Sequence, residues 1–261
     1  MKVVILAGGF GTRISEESVV KPKPMIEIGY KPILWHIMKL YSHFDFNDFI
    51  ICLGYKGYMI KEYFDHYFLH EANVTYDFSN GNHKPVIHAH TVEPWKVTLV
   101  NTGLNTMTGG RIKRIRQFIG DEPFLLTYGD GLSDVDIRNL LGYHRKNGKT
   151  VTVTAIQASG RFGIIDIDAS GQAKNFWEKP KTEASWINGG FFVVEPSIFD
   201  YIDNDETIFE KTPLAKIAEE GNLQAYKHRG FWQCMDRMSD KVLLESMWEK
   251  GTAPWKLWKD T

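Results

Sequence analysis

Cysteine is scarce in this sequence: only Cys52 and Cys234 occur among its 261 residues. So few cysteines exclude the disulfide-rich scaffolds of small secreted proteins and leave a cysteine-built zinc site short of ligands. Long apolar runs are lacking too. The run from Val3 to Leu6 is too short for a secretion signal, and no stretch approaches the ~18 apolar residues of a membrane span. We therefore expect a cytoplasmic protein without a membrane partner.

The sequence also lacks an excess of charge of either sign. Lys+Arg 31 against Asp+Glu 32 gives a formal net charge of -1. This balance argues against a protein that coats nucleic acid, although it leaves room for a local basic pocket. Hydrophobic residues make up 43% and charged residues 24%, as in folded globular domains rather than disordered or fibrous chains. A chain of this length buries a core of the size found in α/β enzymes.

Short apolar runs alternate with helical patterns along the chain, which predicts an α/β fold. Neither repeats nor a Pro/Ser-rich linker occur, so we expect one domain over 1–261. In chain order the patterns predict a strand at 3–7, a helix from Pro32, a strand at 48–53, a helix at 57–70, alternating short strands or a hairpin at 74–100, a helix at 112–119, a strand at 124–128, a helix at 134–146, a β-rich stretch at 150–194 and a last helix near 240–248.

A glycine-rich turn follows the first predicted strand in Leu6-Ala7-Gly8-Gly9-Phe10-Gly11-Thr12-Arg13. Glycines allow backbone N–H groups to approach phosphate oxygens closely, and Arg13 can add a bidentate contact. Neither the dinucleotide pattern GxGxxG nor the P-loop pattern GxxxxGK[ST] is present. The turn alone therefore leaves two alternatives open, a phosphate site and a tight turn with a solvated arginine.

A lysine flanked by prolines follows this turn, in Lys21-Pro22-Lys23-Pro24-Met25. The two prolines restrict the backbone of Lys23 to extended shapes, which predicts a fixed position for its ammonium group. The alternative is an exposed, stiff connector. Together with the glycine turn, Lys23 favours a triphosphate site, because a triphosphate needs several cations.

LAGGFGTR followed by KPKPM resembles the signature of the sugar-nucleotide pyrophosphorylases, nucleotidyltransferases that act on sugar 1-phosphates. Further segments carry the resemblance across nearly the whole chain, among them CLGYKGYMIKEYF, EPWKVTLVNTG, MTGGRIKR, TYGDG, RFGIIDID, INGGFF, FWQCMD and WEKGTAPWK. They resemble the cytidylyl branch most. Thymidylyl and uridylyl relatives usually have a proline soon after the arginine, where this chain has Ser15-Glu16-Glu17.

This resemblance implies a Rossmann-like mixed, mainly parallel sheet flanked by helices, with a β-rich sugar-binding portion. Residues 1–130 would mainly bind the nucleotide, and 131–261 would mainly bind the sugar phosphate and supply the C-terminal helix. The implied substrates are CTP and glucose 1-phosphate, with CDP-glucose and diphosphate as products. The family also implies a homo-oligomer and, as pathway, the supply of CDP-glucose for surface polysaccharide such as O-antigen.

A magnesium site is implied at two carboxylates. Asp130 follows an apolar strand between Gly129 and Gly131, where open α/β sheets bind ligands, although an aspartate there is also typical of an ordinary turn. The resemblance makes Asp130 and Asp236 the ligands of Mg²⁺. Arg237 stands where the family predicts threonine.

The resemblance assigns the remaining site residues as well. Arg13, Lys23 and Lys179 would be catalytic. The nucleotide would lie against 6–13 and Lys23. Thr106, Arg111 and Gly129 would also bind the nucleotide. The sugar phosphate would contact Glu178, Lys179, Asn188 and Gly189.

Other constellations favour structural roles. His66 and His70 are spaced as i and i+4 without the glutamate of a zinc protease motif, and His88 and His90 lack a third ligand nearby. The basic run Lys113, Arg114 and Arg116 is typical of a solvated helix face. The eight tryptophans, Trp248, Trp255 and Trp258 among them, favour packing of a core or a subunit contact.

The sequence leaves three rival functions open. A uridylyl- or thymidylyltransferase would share the architecture. A non-catalytic nucleotide-sugar sensor would have less need of a second metal carboxylate. A glycosyltransferase also puts a metal carboxylate near a nucleotide sugar, but it would not need a cationic turn for a departing diphosphate.

Overall fold

The computed structural model describes residues 1–79, 85–90, 92–157, 164–167, 173–177 and 186–259. The strands along these residues are β1 (Lys2–Ala7), β2 (Glu27–Ile28), β3 (Lys31–Pro32), β4 (Asp48–Leu53), β5 (Ala72–Thr75), β6 (Val86–His90), β7 (Lys96–Asn101), β8 (Phe124–Tyr128), β9 (Gly131–Ser133), β10 (Val151–Gln157), β11 (Ile164–Ile167), β12 (Ala173–Trp177), β13 (Trp186–Val194), β14 (Leu223–His228) and β15 (Trp232–Cys234).

Among the described residues, helices occur from the N-terminal to the C-terminal part of the chain. Three 3₁₀ helices occupy Thr12–Ile14, Lys23–Met25 and Pro196–Tyr201. The α-helices are α1 (Ser15–Ser18), α2 (Ile33–His43), α3 (Gly57–His70), α4 (Thr108–Arg114), α5 (Arg116–Ile119), α6 (Ile137–Asn147), α7 (Thr212–Glu219) and α8 (Met238–Glu249). Every helix among the described residues is too short or too polar to cross a lipid bilayer.

A seven-stranded sheet in the order β14-β10-β13-β8-β1-β4-β7 forms the centre of the fold. β1 runs parallel to β4 and β8, β4 runs parallel to β7, and β10 runs parallel to β14. Only β13 reverses the direction, since it pairs antiparallel with both β8 and β10. The predicted mixed, mainly parallel sheet flanked by helices is confirmed.

Two buried clusters cover the two faces of this sheet, and β1 contributes to both. Val3 and Ile5 pack into one cluster with α2, while Val4 and Leu6 pack into the other with Ile112 of α4. Alternate side chains of a strand point to opposite faces, so a strand that is apolar at every position must be covered on both sides. β1 therefore lies inside the sheet, between β8 and β4, and the glycine turn follows from its carboxyl end.

The strands and helices predicted at 48–53, 57–70 and 124–128 have the predicted bounds. The excursion predicted between 74 and 100 contains the antiparallel pair β5–β6, followed by β7, which joins the main sheet.

Three predicted helix starts are wrong. α2 begins at Ile33 rather than at Pro32, because Pro32 stands at the N-cap and pairs with Glu27 in the hairpin β2–β3. α4 begins at Thr108 rather than at 112, because the Gly109 N–H is held by the Thr207 carbonyl at 2.9 Å. α6 begins at Ile137 rather than at 134, because the Asp136 carboxylate caps it by accepting from the Asn139 N–H at 2.8 Å.

The hairpin β2–β3 turns through Gly29 and Tyr30, whose φ angles are 59° and 64°. A methyl group on Gly29 would lie 1.9 Å from Nε1 of Trp248. We expect Gly29→Ala to lower the free energy of unfolding by about 1–3 kcal/mol, because the backbone is left-handed there and the indole must move. Chemical denaturation measures the change.

Gly142→Ala is the matched control for this substitution. Gly142 is exposed within α6, and a methyl group there meets no atom within 4 Å. Alanine at this helical position should raise the free energy of unfolding by about 0.5–1 kcal/mol. Equal effects of the two substitutions would show that the Gly29–Trp248 contact is not a constraint.

Candidate active site

A cavity of about 720 Å³ lies at the carboxyl ends of β1 and β8, the position at which open α/β sheets bind ligands. The sequence-predicted residues that line it are Leu6, Ala7, Gly8, Gly9, Phe10, Gly11, Thr12, Lys23, Thr106, Arg111, Gly129, Asp130, Asn188, Gly189 and Asp236. Residues that are distant in the chain thus face one space. The side chain of Arg13, and Glu178 and Lys179, lie outside the described part of the chain, so their roles stay predictions.

The glycine turn is packed tightly against its neighbours. A methyl group on Gly8 would lie 2.2 Å from Nη1 of Arg111, and one on Gly54 would lie 2.4 Å from the Gly8 carbonyl oxygen. Gly11 has a φ of 67°, in the left-handed region that favours glycine. The turn therefore needs glycine both for close approach and for its backbone shape.

The buried guanidinium of Arg111 joins the ends of three parallel strands. It donates to the Gly8 carbonyl after β1 at 3.0 Å, to the Leu53 carbonyl at the end of β4 at 3.2 Å and to the Thr102 hydroxyl after β7 at 2.8 Å. It also donates to the Gly103 carbonyl at 2.7 Å. Burial lowers its pKa, but a guanidinium stays charged at neutral pH. Arg111 thus holds the glycine turn in place, and its contact with a nucleotide stays a prediction.

The ammonium of Lys23 lies between two carboxylates. Its Nζ is 2.6 Å from Oδ2 of Asp130 and 2.5 Å from Oδ1 of Asp236. Burial opposes the charge of Lys23, but the two carboxylates outweigh it and hold the pKa above its ordinary value. Lys23 is buried, so the alternative of an exposed connector is excluded.

The expected extended backbone at Lys23 is wrong. Lys23 begins the 3₁₀ helix Lys23–Met25, in which the Met25 N–H donates to the Pro22 carbonyl at 2.8 Å and the Ile26 N–H donates to the Lys23 carbonyl at 3.1 Å. These bonds outweigh the preference of a residue before proline for extended shapes. The backbone of Lys23 is nevertheless fixed.

A short two-stranded sheet brings the two carboxylates together. β9 and β15 pair antiparallel, with Gly131 opposite Cys234, and the Met235 N–H donates to the Asp130 carbonyl at 2.9 Å. Asp236 therefore lies beside Asp130 although the chain separates them widely.

The first turn of α8 holds the backbone of Asp236 through hydrogen bonds. The carboxylate of Asp240 accepts from the backbone N–H groups of Asp236 at 3.0 Å and Arg237 at 2.9 Å. Arg237 stands at the N-cap of α8, where the hydroxyl of threonine would accept a hydrogen bond and an arginine side chain cannot. Asp240 holds the backbone of this turn, so the departure from the family's residue leaves Asp236 in place.

The chemistry of the donor set fits a divalent cation. Asp130 and Asp236 already converge on one positive charge, and Mg²⁺ takes one or two carboxylates with phosphate oxygens and water as the remaining ligands. Among the described residues no third His, Cys, Asp or Glu joins the pair as a further metal ligand, so water or phosphate oxygens would complete the coordination. Cys234 lies near Asp130 and Asp236. Burial and the two aspartates raise the pKa of its thiol to about 12, so Cys234 is not a thiolate nucleophile.

Other residues in the lining of the cavity had no predicted role, among them Thr108, Tyr128, Glu210 and Trp232. Tyr128 directly precedes the Gly129-Asp130 pair, and this adjacency is a signal that could have found it. Glu210 lies in an irregular segment before α7, without a pattern around it. Trp232 donates from Nε1 to the Gly189 carbonyl at 2.6 Å, so it supports the sugar-binding segment predicted at 188–189.

The histidines and tryptophans for which structural roles were predicted make hydrogen bonds or packing contacts. His66 Nδ1 lies 2.9 Å from the Glu62 carbonyl of its own helix, and His88 Nε2 lies 2.9 Å from the Thr75 hydroxyl. Trp255 is fully buried, and its ring stacks on Trp248 at 6.4 Å.

The family model described as "Nucleotidyl transferase" matches residues 2–261. The chain belongs to this family. Glucose-1-phosphate cytidylyltransferase from Salmonella typhi is 57% identical over 260 residues, which are 99% of this chain and 100% of the relative. "Probable glucose-1-phosphate cytidylyltransferase" from Bacillus subtilis (strain 168) is 46% identical over 259 residues, 99% and 100% of the two chains. The resemblance carried by LAGGFGTR and KPKPM is confirmed.

Solved structures show the same nucleotidyltransferase fold. HddC from Yersinia pseudotuberculosis has a TM-score of 0.68 at 23% identity, covering 95% of this chain and 99% of its own. UDP-glucose pyrophosphorylase complexed with UDP-glucose has a TM-score of 0.67 at 18% identity, covering 96% and 98%. At these identities the likeness concerns the fold alone.

Proposed function

We propose that the protein transfers CMP from CTP to α-D-glucose 1-phosphate, giving CDP-glucose and diphosphate. One observation supports this function most: the glycine turn shares a cavity with a lysine held between two carboxylates. The choice of cytosine and glucose follows the full-length similarity to glucose-1-phosphate cytidylyltransferases.

In the proposed reaction a phosphate oxygen of glucose 1-phosphate attacks the α-phosphorus of CTP. The bond to the β-phosphate breaks, and its electron pair leaves with diphosphate. The attacking oxygen is already anionic near neutral pH, so no general base is required. The protein must instead reduce repulsion between the anions and hold them in line.

Different residues of the site would bind the triphosphate, the sugar phosphate and the metal ion. Backbone N–H groups of Gly8 to Thr12 would receive the triphosphate, and Arg13, by resemblance, would neutralise its departing end. Lys179 would hold the sugar phosphate in the same way. Mg²⁺ held by Asp130 and Asp236 would supply further positive charge to the phosphates.

Lys23 would serve both the carboxylates and the phosphates. A methyl group on Gly11 would lie 3.4 Å from Cβ of Lys23, so the side chain starts beside the glycine turn, while its ammonium ends at Asp130 and Asp236. With the backbone fixed, rotation of the side chain alone would carry the charge from the carboxylates to a bound triphosphate.

The domain organisation follows as a proposal. Residues 1–130 would supply most of the nucleotide site, and 131–261 would supply Asn188, Gly189 and the second carboxylate, Asp236. The cytoplasmic location, the homo-oligomer and the role in O-antigen supply stay predictions.

A diphosphate-release assay with glucose 1-phosphate and CTP, UTP or dTTP tests the proposed function. We expect kcat/KM with CTP to exceed that with either other nucleotide by at least about 100-fold, a ratio that a site reading the base by hydrogen bonds can reach. Faster release with UTP or dTTP would make the protein a uridylyl- or thymidylyltransferase. Tight binding of CTP without diphosphate release would favour the sensor instead.

A further inference from the structure

Glu210 is a third carboxylate in the lining of the cavity, in addition to Asp130 and Asp236. Among the described residues it has no ion pair, and hydroxyl groups occupy both of its oxygens. Tyr128 donates to Oε1 at 2.5 Å, and Thr108 donates to Oε2 at 2.6 Å. A negative charge in a cavity for two anionic substrates repels both of them. The carboxylate of Glu210 must therefore have a role other than phosphate binding.

The charge of Glu210 fixes the direction of a hydrogen-bonded chain. The Tyr128 hydroxyl donates its hydrogen bond to Glu210, because a carboxylate oxygen can only accept. The Tyr128 oxygen is then an acceptor, and Nδ2 of Asn188 donates to it at 3.2 Å. The amide oxygen of Asn188 accepts from the Gly190 N–H at 2.8 Å.

These bonds leave one orientation for the Asn188 amide. Its nitrogen faces a hydroxyl whose proton is already used, and its oxygen faces a backbone N–H group, so a flipped amide would lose both bonds. Among the described residues, one N–H and one oxygen lone pair of the exposed Asn188 have no partner and remain for a ligand.

The backbone around Asn188 is fixed as well. Gly190 has a φ of 79°, and a methyl group there would lie 2.6 Å from Cδ2 of Tyr128. The Gly189 carbonyl accepts from Trp232 at 2.6 Å on the other side of the segment. Tyr128 thus contacts the segment 188–190 through both its ring and its hydroxyl.

We propose that Glu210 and Tyr128 are positioning residues for the sugar 1-phosphate. Through the chain Glu210–Tyr128–Asn188 they orient the amide of Asn188 so that its remaining N–H and lone pair meet hydroxyl groups of the hexose. This inference rests on the proposed function and explains why a carboxylate is kept in the cavity: it acts on hydroxyl groups and not on phosphate. Thr108 connects the same carboxylate to the start of α4, on the nucleotide side.

Tyr128→Phe tests the inference, because it keeps the ring against Gly190 and removes only the hydroxyl. We expect the KM for glucose 1-phosphate to rise about 10-fold, while the KM for CTP stays within about twofold. Tyr201→Phe is the matched control, since Tyr201 donates the same type of bond to Glu220 outside the cavity and its loss should change neither constant. A rise in both KM values, or in neither, would overturn the inference.

A double-mutant cycle separates positioning from general damage. Asn188→Ala should raise the same KM, and Tyr128→Phe added to it should cause no further rise, because both act through one amide. Full additivity would contradict the chain. If Tyr128→Phe does not fold, Glu210→Gln replaces it, since an amide can donate to Tyr128 and compete with Asn188; an unchanged KM for glucose 1-phosphate would then count against the inference.

Failure of the proposed reaction can be distinguished from failure of the positioning role. Wild-type protein that releases no diphosphate from CTP and glucose 1-phosphate would contradict the reaction. Calorimetric binding of glucose 1-phosphate to wild-type protein and to Tyr128→Phe then tests the positioning role directly, with weaker binding to the variant expected and equal binding contradicting it.

Discussion

Asp236→Asn should lower turnover at saturating CTP, glucose 1-phosphate and Mg²⁺ by at least about 100-fold. The substitution keeps the size of the side chain and removes one of the two negative charges that meet at Lys23, 2.5 Å away. Because the backbone of Asp236 is held by Asp240 and by the β9–β15 pair, the fold should survive. Diphosphate release measures the change.

Asp121→Asn is the control for this experiment. Asp121 is exposed and lies outside the lining of the cavity, so its substitution should leave turnover unchanged. Unchanged turnover of Asp236→Asn at saturating Mg²⁺ would rule out Asp236 as a ligand that the reaction needs.

Lys23→Gln should also lower turnover by at least about 100-fold, for a different reason. It removes the cation proposed to move to the bound triphosphate, and it leaves two carboxylates facing each other without the charge between them. A second measurement separates these effects. Mn²⁺ alone, titrated without nucleotide, should bind Lys23→Gln more tightly than wild-type protein, because the ammonium no longer competes for Asp130 and Asp236.

Lys21→Gln is the matched control, since Lys21 lies two positions away and pairs with Glu27 instead. It should change neither turnover nor Mn²⁺ affinity. If Lys23→Gln kept wild-type turnover, the proposed role of Lys23 toward the triphosphate would be wrong. If it lost turnover without tighter binding of Mn²⁺, the carboxylate pair would not be the cation site.

The sequence predicted the parts of the fold in which local pattern and tertiary environment agree. β4 and β8 have their predicted bounds because each is a short continuous apolar run, and α3 has its predicted bounds as well. α4 begins early because of a contact with Thr207, which lies far away in the chain. A local pattern carries no information on such a contact.

The candidate site also has parts that the sequence predicts and parts that depend on tertiary contacts. The glycine turn and Asp130 follow apolar strands directly, so the sequence indicates both. The meeting of Asp130 with Asp236 depends on β9 and β15, which span only Gly131–Ser133 and Trp232–Cys234 and are too short for a periodic signal. Glu210 is placed by Tyr128 and Thr108, so its position follows only from the assembled sheet.

A crystal structure of the protein grown with CTP and Mg²⁺ tests the central claim most directly. The account predicts the triphosphate on the backbone N–H groups of 8–12, with the ammonium of Lys23 moved from the two carboxylates toward a phosphate oxygen. CTP bound outside this cavity, or a triphosphate pointing away from the glycine turn, would contradict it.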